Sequence, residues 1–349
     1  MKKNFLFILI LSFSALTAQL NFKLLEGNWI VNKKEFKDGS RYIPFRQMKN
    51  WDKVFIFQSN SYYSTEFLRN QTNPFPYKYK TNGNKLSMAE GHFIIIEKLT
   101  ESDLILVDGN EEREESLHIR YYLTRYDVQK EQDLLKNNAR DTLTSTTALS
   151  PVPKVNIFGD EFTSSSNFPF RAKGYLFFDM RMKTVKAHFT DSRNLSLQDR
   201  GRLEAIYNST FKSWDFSAVK AFKFIKMPFI LALYKYSTTP TISYSRIVTD
   251  YNTHDYNDII LPDPFQNPQE SLKYFVKGIK CVENEKYDCA LQNFKLSFER
   301  DKYNFDSHYN YAAINHTLGK KDEACKKWTE LIQYGQKKAE VYYKTHCNK

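Results

Sequence analysis

The chain has 349 residues and a formal net charge of +11, with 41% hydrophobic, 16% aromatic and 26% charged residues. That is an ordinary globular balance, long enough for two or three domains. The positive excess is spread out with no dense Lys/Arg run, which argues against a nucleic acid partner, since that binding needs a concentrated basic patch.

Met1, Lys2 and Lys3 precede an apolar run from Phe5 to about Ala18. The run is shorter than the roughly twenty residues that span a bilayer, so residues 1–18 read as a signal peptide. An uncleaved anchor is the alternative. No Cys follows the run to carry a lipid, and no later segment is apolar enough for a transmembrane span.

Residues 19–127 read as eight short strands separated by turns, among them Trp29–Phe36, Lys53–Phe57, Tyr62–Leu68, Phe93–Leu99 and Leu117–Arg125. Asn82-Gly83 and Asp108-Gly109 are hairpin signals. This spacing predicts an antiparallel barrel or sandwich. Leu25-Glu26-Gly27-Asn28-Trp29 resembles the G-x-W signature that opens lipocalins, and Arg125 ends the last strand where that family's late Arg packs over the Trp. The resemblance implies an all-β lipocalin-like barrel closed by Trp29 and Arg125. Its mouth would hold a small apolar ligand, or its aromatics (Phe55, Phe57, Tyr63, Phe93) would simply fill the interior. His92 and His118 read as strand-surface residues, and Glu111–Glu115 as a solvated hairpin tip.

Residues 128–168 are rich in Ser, Thr, Asn and Pro and read as a linker, with a short helix over Gln129–Lys136. Residues 169–240 predict a small α+β (ββαβ) domain. Gly174–Met180 and Thr184–Thr190 alternate as strands, a helix follows from a Ser196 cap, and a long strand runs from Ala221 to Tyr236. The order, with Trp214 at the helix end and Lys226-Met227-Pro228-Phe229 after it, resembles the C-terminal domain of TonB-type energy transducers. The chain lacks the membrane helix and Pro-rich arm such transducers need, so the resemblance implies a binding or scaffolding element. An unrelated α+β spacer stands beside that reading. Residues 241–268, with Pro262, Pro264 and Pro268, read as a second linker.

Residues 269–349 carry a period of thirty-four: Tyr274/His308, Gly278/Ala312, Ala290/Ala324 and Phe294/Trp328. A fixed period of this size means stacked helical hairpins, in which small residues let helices approach and large ones fill the gap. The pattern resembles tetratricopeptide (TPR) repeats, and Ser297 departs from the usual Ala. With Gly319 and Asp322 expected as helix cap residues, it predicts two hairpins and a lone closing helix over 337–346. The resemblance implies a partner face on the first helices, at Phe275, Ile279, Tyr309, Ala313 and His316. The alternative is that this face packs on residues 238–268. All four cysteines fall here, and an even count in an exported chain argues for disulfides. The hairpin geometry favours Cys281–Cys289 and Cys325–Cys347. Their spacing does not suit zinc.

The sequence contains no nucleophile elbow, H-E-x-x-H, Walker loop or G-x-G-x-x-G. The expectation is therefore a non-enzymatic, cofactor-free and metal-free scaffold, exported to the periplasm or secreted by a Gram-negative bacterium. It would hold a protein or peptide on its repeats. A carrier of a small hydrophobic ligand is the alternative.

Overall fold

The computed structural model describes residues 21–42, 53–68, 76–127, 141–158, 169–239, 242–252 and 266–347. The expected signal peptide and the Gln129–Lys136 helix lie outside the described residues. Nine antiparallel strands form the first sheet: β1 (Gly27–Phe36), β2 (Val54–Gln58), β3 (Ser61–Thr65), β4 (Tyr77–Lys78), β5 (Lys80–Asn82), β6 (Lys85–Ser87), β7 (His92–Leu99), β8 (Asp103–Asn110) and β9 (Ile119–Arg125). Their spatial order is β4-β3-β2-β1-β9-β8-β7-β6-β5. The edge strands β4 and β5 are joined through Tyr79 alone, so the sheet is nearly closed. Period-two alternation turns Trp29, Phe55, Phe57, Leu86, Ile94, Ile96, Leu104, Leu106, Tyr121 and Leu123 into one buried cluster. The Phe55 ring packs against Phe57, Tyr62 and Tyr121 at centroid separations of 5.0–6.2 Å. His118, expected on the surface, is 5% exposed. It ends a 3-10 turn just before β9, where its ring meets the edge of Phe93. His92 is exposed.

The middle of the chain contributes β10 (Thr142–Thr144), β11 (Val152–Pro153), β12 (Phe170–Asp179), β13 (Thr184–Arg193), α1 (Leu197–Asn208), β14 (Trp214–Asp215), β15 (Phe224–Thr239) and β16 (Ile242–Tyr251). Ser196 caps α1, its hydroxyl accepting from Asp199 N at 3.0 Å. The strand–strand–helix–strand order holds, but both expected linkers contain strand. β10 pairs parallel with the start of β15, and β16 pairs antiparallel with the rest of it. The reason is that β15 offers a long edge, and neighbouring chain pairs with it whatever its own Pro and Ser content. Pro228, which donates no hydrogen bond, falls between Lys226, the last residue of β15 paired with β10, and Phe229, the first paired with β16. Lys53 of the barrel reaches this sheet, donating to Asp250 Oδ1 at 2.5 Å and Tyr251 O at 2.7 Å.

Five helices end the chain: α2 (Pro268–Glu283), α3 (Tyr287–Arg300), α4 (Phe305–Thr317), α5 (Lys321–Gln333) and α6 (Lys337–His346). Asn267 caps α2, with Pro268 at its first position. Gly319, at φ 76°, takes the left-handed conformation just past α4. Lys320 occupies the cap of α5, and Asp322 instead lies in the first turn, where its charge complements the helix dipole. Gly278 lets α2 approach α3 so closely that a Cβ there would sit 2.6–3.0 Å from the Phe294 ring. Ser297 is the hub of a buried network. Its hydroxyl donates to Ser271 O at 2.8 Å and lies 3.0 Å from Ser271 Oγ, while Ser307 Oγ and Asn304 Nδ2 donate to it at 2.7 and 3.1 Å. Disulfides join Cys281 to Cys289 and Cys325 to Cys347.

Candidate functional site

The last helices and the barrel enclose a cleft of about 590 Å³, within the range of roughly 300–1,000 Å³ typical of ligand pockets. One wall comes from the barrel: Phe36, Asp38 and Ser40 around the end of β1, with Glu114, Ser116 and Leu117 ahead of β9. The other wall is helical. Tyr309, Ala313 and His316 recur on one face of α4, Trp328 comes from α5, and Tyr342 and His346 come from α6. The walls are pinned where Lys337 N donates to Ser40 Oγ at 3.0 Å and Arg41 N donates to Gly335 O at 3.1 Å. Gly335, at φ 76°, is held so close to Arg41 that a Cβ would lie 2.9 Å from it.

Aromatic rings form the floor. His316 and His346 have ring centroids 4.4 Å apart, and Trp328 lies 5.7 and 5.5 Å from them. Tyr342 bridges Trp328 at 5.8 Å and Tyr309 at 6.1 Å. His346 precedes Cys347, whose bond to Cys325 holds the end of α6 against α5.

Acids form the rim: Asp38, Glu114 and Asp306 are exposed there. Although the surface of Asp306 is open, protein atoms crowd its carboxylate. This desolvation raises its pKa, Glu114 raises it further, and Lys338 partly offsets the shift. Burial pushes the Tyr309 phenol up, with Asp38 adding to the effect. Two polar atoms of the lining lack hydrogen-bond partners: Gln336 Nε2, on a residue 6% exposed, and Tyr309 Oη, which lies near the Ala339 backbone without a bond of ordinary geometry.

Of the residues singled out for partner binding, the structure places Tyr309, Ala313 and His316 in this cleft. Phe275 and Ile279 are elsewhere. They flank Gly278 on the stripe of α2 that packs on α3, with Phe275 at 5.8 Å from Phe294. At the barrel's end the Arg125 guanidinium lies 4.5 Å from the Trp29 ring centroid. It donates to Glu26 O and Glu101 O, each at 2.8 Å, and to Leu24 O. Trp29 Nε1 in turn donates to Leu25 O at 2.7 Å. His308 does not reach the cleft. Its Nε2 lies 3.0 Å from Lys302 O, and burial, helped by Lys327, lowers its pKa to about 4.

The barrel wall was missed by sequence reasoning, as were Gln336 and His346. Trp328 and Tyr342 already stood in the thirty-four-residue register. Nothing in the Glu111–Glu115 run signalled that Glu114 faces a helix, whereas Glu111 and Glu115 pair with Lys85 and Lys37. Among the described residues no cluster of three or more His, Cys, Asp or Glu could hold a metal, and no helix is long and apolar enough to cross a membrane. Compared with known proteins, the chain matches no family model, no curated protein and no solved structure.

Proposed function

We propose that this chain is an exported, non-enzymatic binding protein of a Gram-negative cell envelope, holding a peptide segment of a partner in the cleft between its lipocalin-like barrel and its TPR-like helices. The observation that carries the reading is the cleft's lining, an aromatic floor beside two polar atoms with no partner. A buried polar group without a hydrogen bond is costly, so a ligand that supplies one is favoured. Aromatic side chains add contact area with few rotamers to freeze. The two disulfides fit an oxidising compartment. The TonB-like middle domain serves as a scaffold, joined to the barrel through Lys53 and Asp250.

The carrier alternative draws less support, because the rings around Phe55 already occupy the barrel interior. The test is affinity capture from an envelope fraction, read by mass spectrometry. Ala313 is exposed in the cleft, so Ala313→Trp should plug it without disturbing the fold. Partners captured by the wild type should be lost. Unchanged capture by the plugged, folded variant would refute the reading.

A further inference from the structure

The chain is basic overall, with a net charge of +11, yet the rim of its cleft is acidic. Asp38, Glu114 and Asp306 stand there against a single lysine, Lys338. The oxygens of Asp38 accept from Ser40 N and Oγ at 2.8 and 2.9 Å, and Glu114 accepts from Ser116 Oγ at 2.6 Å. Those donors are neutral. Among the described residues none of the three carboxylates forms an ion pair within 4.0 Å, although twelve other carboxylates show that lysines and arginines readily do so elsewhere. Three exposed acids against one lysine around this opening make a local negative potential that a further cation would relieve.

Behind the rim lie Tyr309 and Tyr342, whose faces attract a cation or cover an aliphatic stem, and Lys338 Nζ already stands 6.0 Å from the Tyr309 ring centroid. Deeper still, Gln336 is 6% exposed and its Nε2 has a proton to donate and no acceptor. A bare amine or metal ion would leave that donor unmet. A peptide would satisfy it with a main-chain carbonyl.

We propose that the cleft takes a Lys or Arg side chain of an extended peptide, with the cationic head at Asp38, Glu114 and Asp306, the stem over Tyr309, and a carbonyl of the same peptide on Gln336 Nε2. The proposal rests on the cleft's being the partner site. It adds that charge selects the partner.

The test uses the full-length protein and hexapeptide pools with one fixed central residue (Arg, Lys, citrulline or Glu) and mixed neutral flanks. The Arg and Lys pools should be retained about tenfold over citrulline, which keeps Arg's shape without its charge, and Glu should be retained least. The preference should shrink between about 0.05 and 0.5 M salt. Glu114→Gln/Asp306→Asn, changed only at exposed positions, should abolish the preference, bringing retention of the Arg and Lys pools down to that of citrulline. Gln336→Met should weaken every pool alike. Retention independent of charge, or a preference for Glu, overturns the proposal, and the cleft reading survives if Ala313→Trp abolishes that retention. If no pool is retained, the proposal is overturned. Envelope capture with Ala313→Trp then decides the cleft separately, since loss of partners keeps it and unchanged capture removes it.

Discussion

The two disulfides close loops of different length, and this gives the helical region a ranked response to their removal. Cys325 and Cys347 are 22 residues apart, and Cys281 and Cys289 are 8 apart. In the chain-entropy account the constraint on the unfolded state grows with the logarithm of loop length. It gives about 3.4 kcal/mol for the longer loop and about 2.5 kcal/mol for the shorter. Cys325→Ala/Cys347→Ala should therefore destabilise more than Cys281→Ala/Cys289→Ala, by about 0.9 kcal/mol. The longer bridge also holds the end of α6, which carries Tyr342 and His346 into the cleft. Loss of that bridge should lower partner capture, and loss of the other should not. A chain of several domains does not unfold in one step, so the readout is native-state hydrogen exchange on peptides from α2 to α6. An equal or reversed ranking would refute the loop-entropy reasoning. Free thiols in the wild-type protein would remove its premise.

Three further outcomes follow from the geometry. Arg125→Ala removes a guanidinium stacked on Trp29 and strands three backbone carbonyls. Native-state hydrogen exchange on peptides from β1 and β9 should show a loss of about 2–4 kcal/mol, with Arg125→Lys recovering only part of it. Ser297→Ala installs the residue usual in TPR repeats, yet it removes the centre of the buried network with Ser271, Asn304 and Ser307. Exchange in α2–α4 should report a loss of about 1–3 kcal/mol, and a gain would show the network to be dispensable. His308 is held neutral, with its folded pKa near 4 below the ordinary 6.5. Its contribution is complete above about pH 6.5 and declines as the pH falls toward 4, because only the unfolded state then takes up the proton. The loss reaches at most about 3 kcal/mol. Between pH 7 and pH 4 the opening free energy read by native-state exchange in α3–α5 should fall less steeply in His308→Phe than in the wild type, and parallel slopes would contradict the assignment.

Much of the local architecture was legible because it repeats over short distances. Period-two alternation brought out most of the barrel strands. The thirty-four-residue period marked Gly278 as a small and Phe294 as a large position, and helix spacing brought the cysteines into reach of one another. The strands that escaped, β10 and β16, owe their form to the long edge of β15, and a partner edge leaves no mark on the paired strand's own composition. That Phe275 and Ile279 line the contact between α2 and α3, away from the cleft, was hidden for a related reason. Helical periodicity shows which residues share a stripe, but not which neighbour that stripe meets.

From its sequence alone this chain determined a strand-rich front, a mixed middle, helical hairpins at the end and the bridging of its four cysteines, since each depends on contacts within one module. The cleft is different. It exists because the turns at Asp38–Ser40 and Glu114–Leu117 lie against Gly335, Lys337 and α4, across some 200 to 300 residues of chain. No periodicity links residues so far apart. Only the docking of two finished surfaces brings an acidic rim over an aromatic floor, and that docking is decided by tertiary shape and hydrogen bonding.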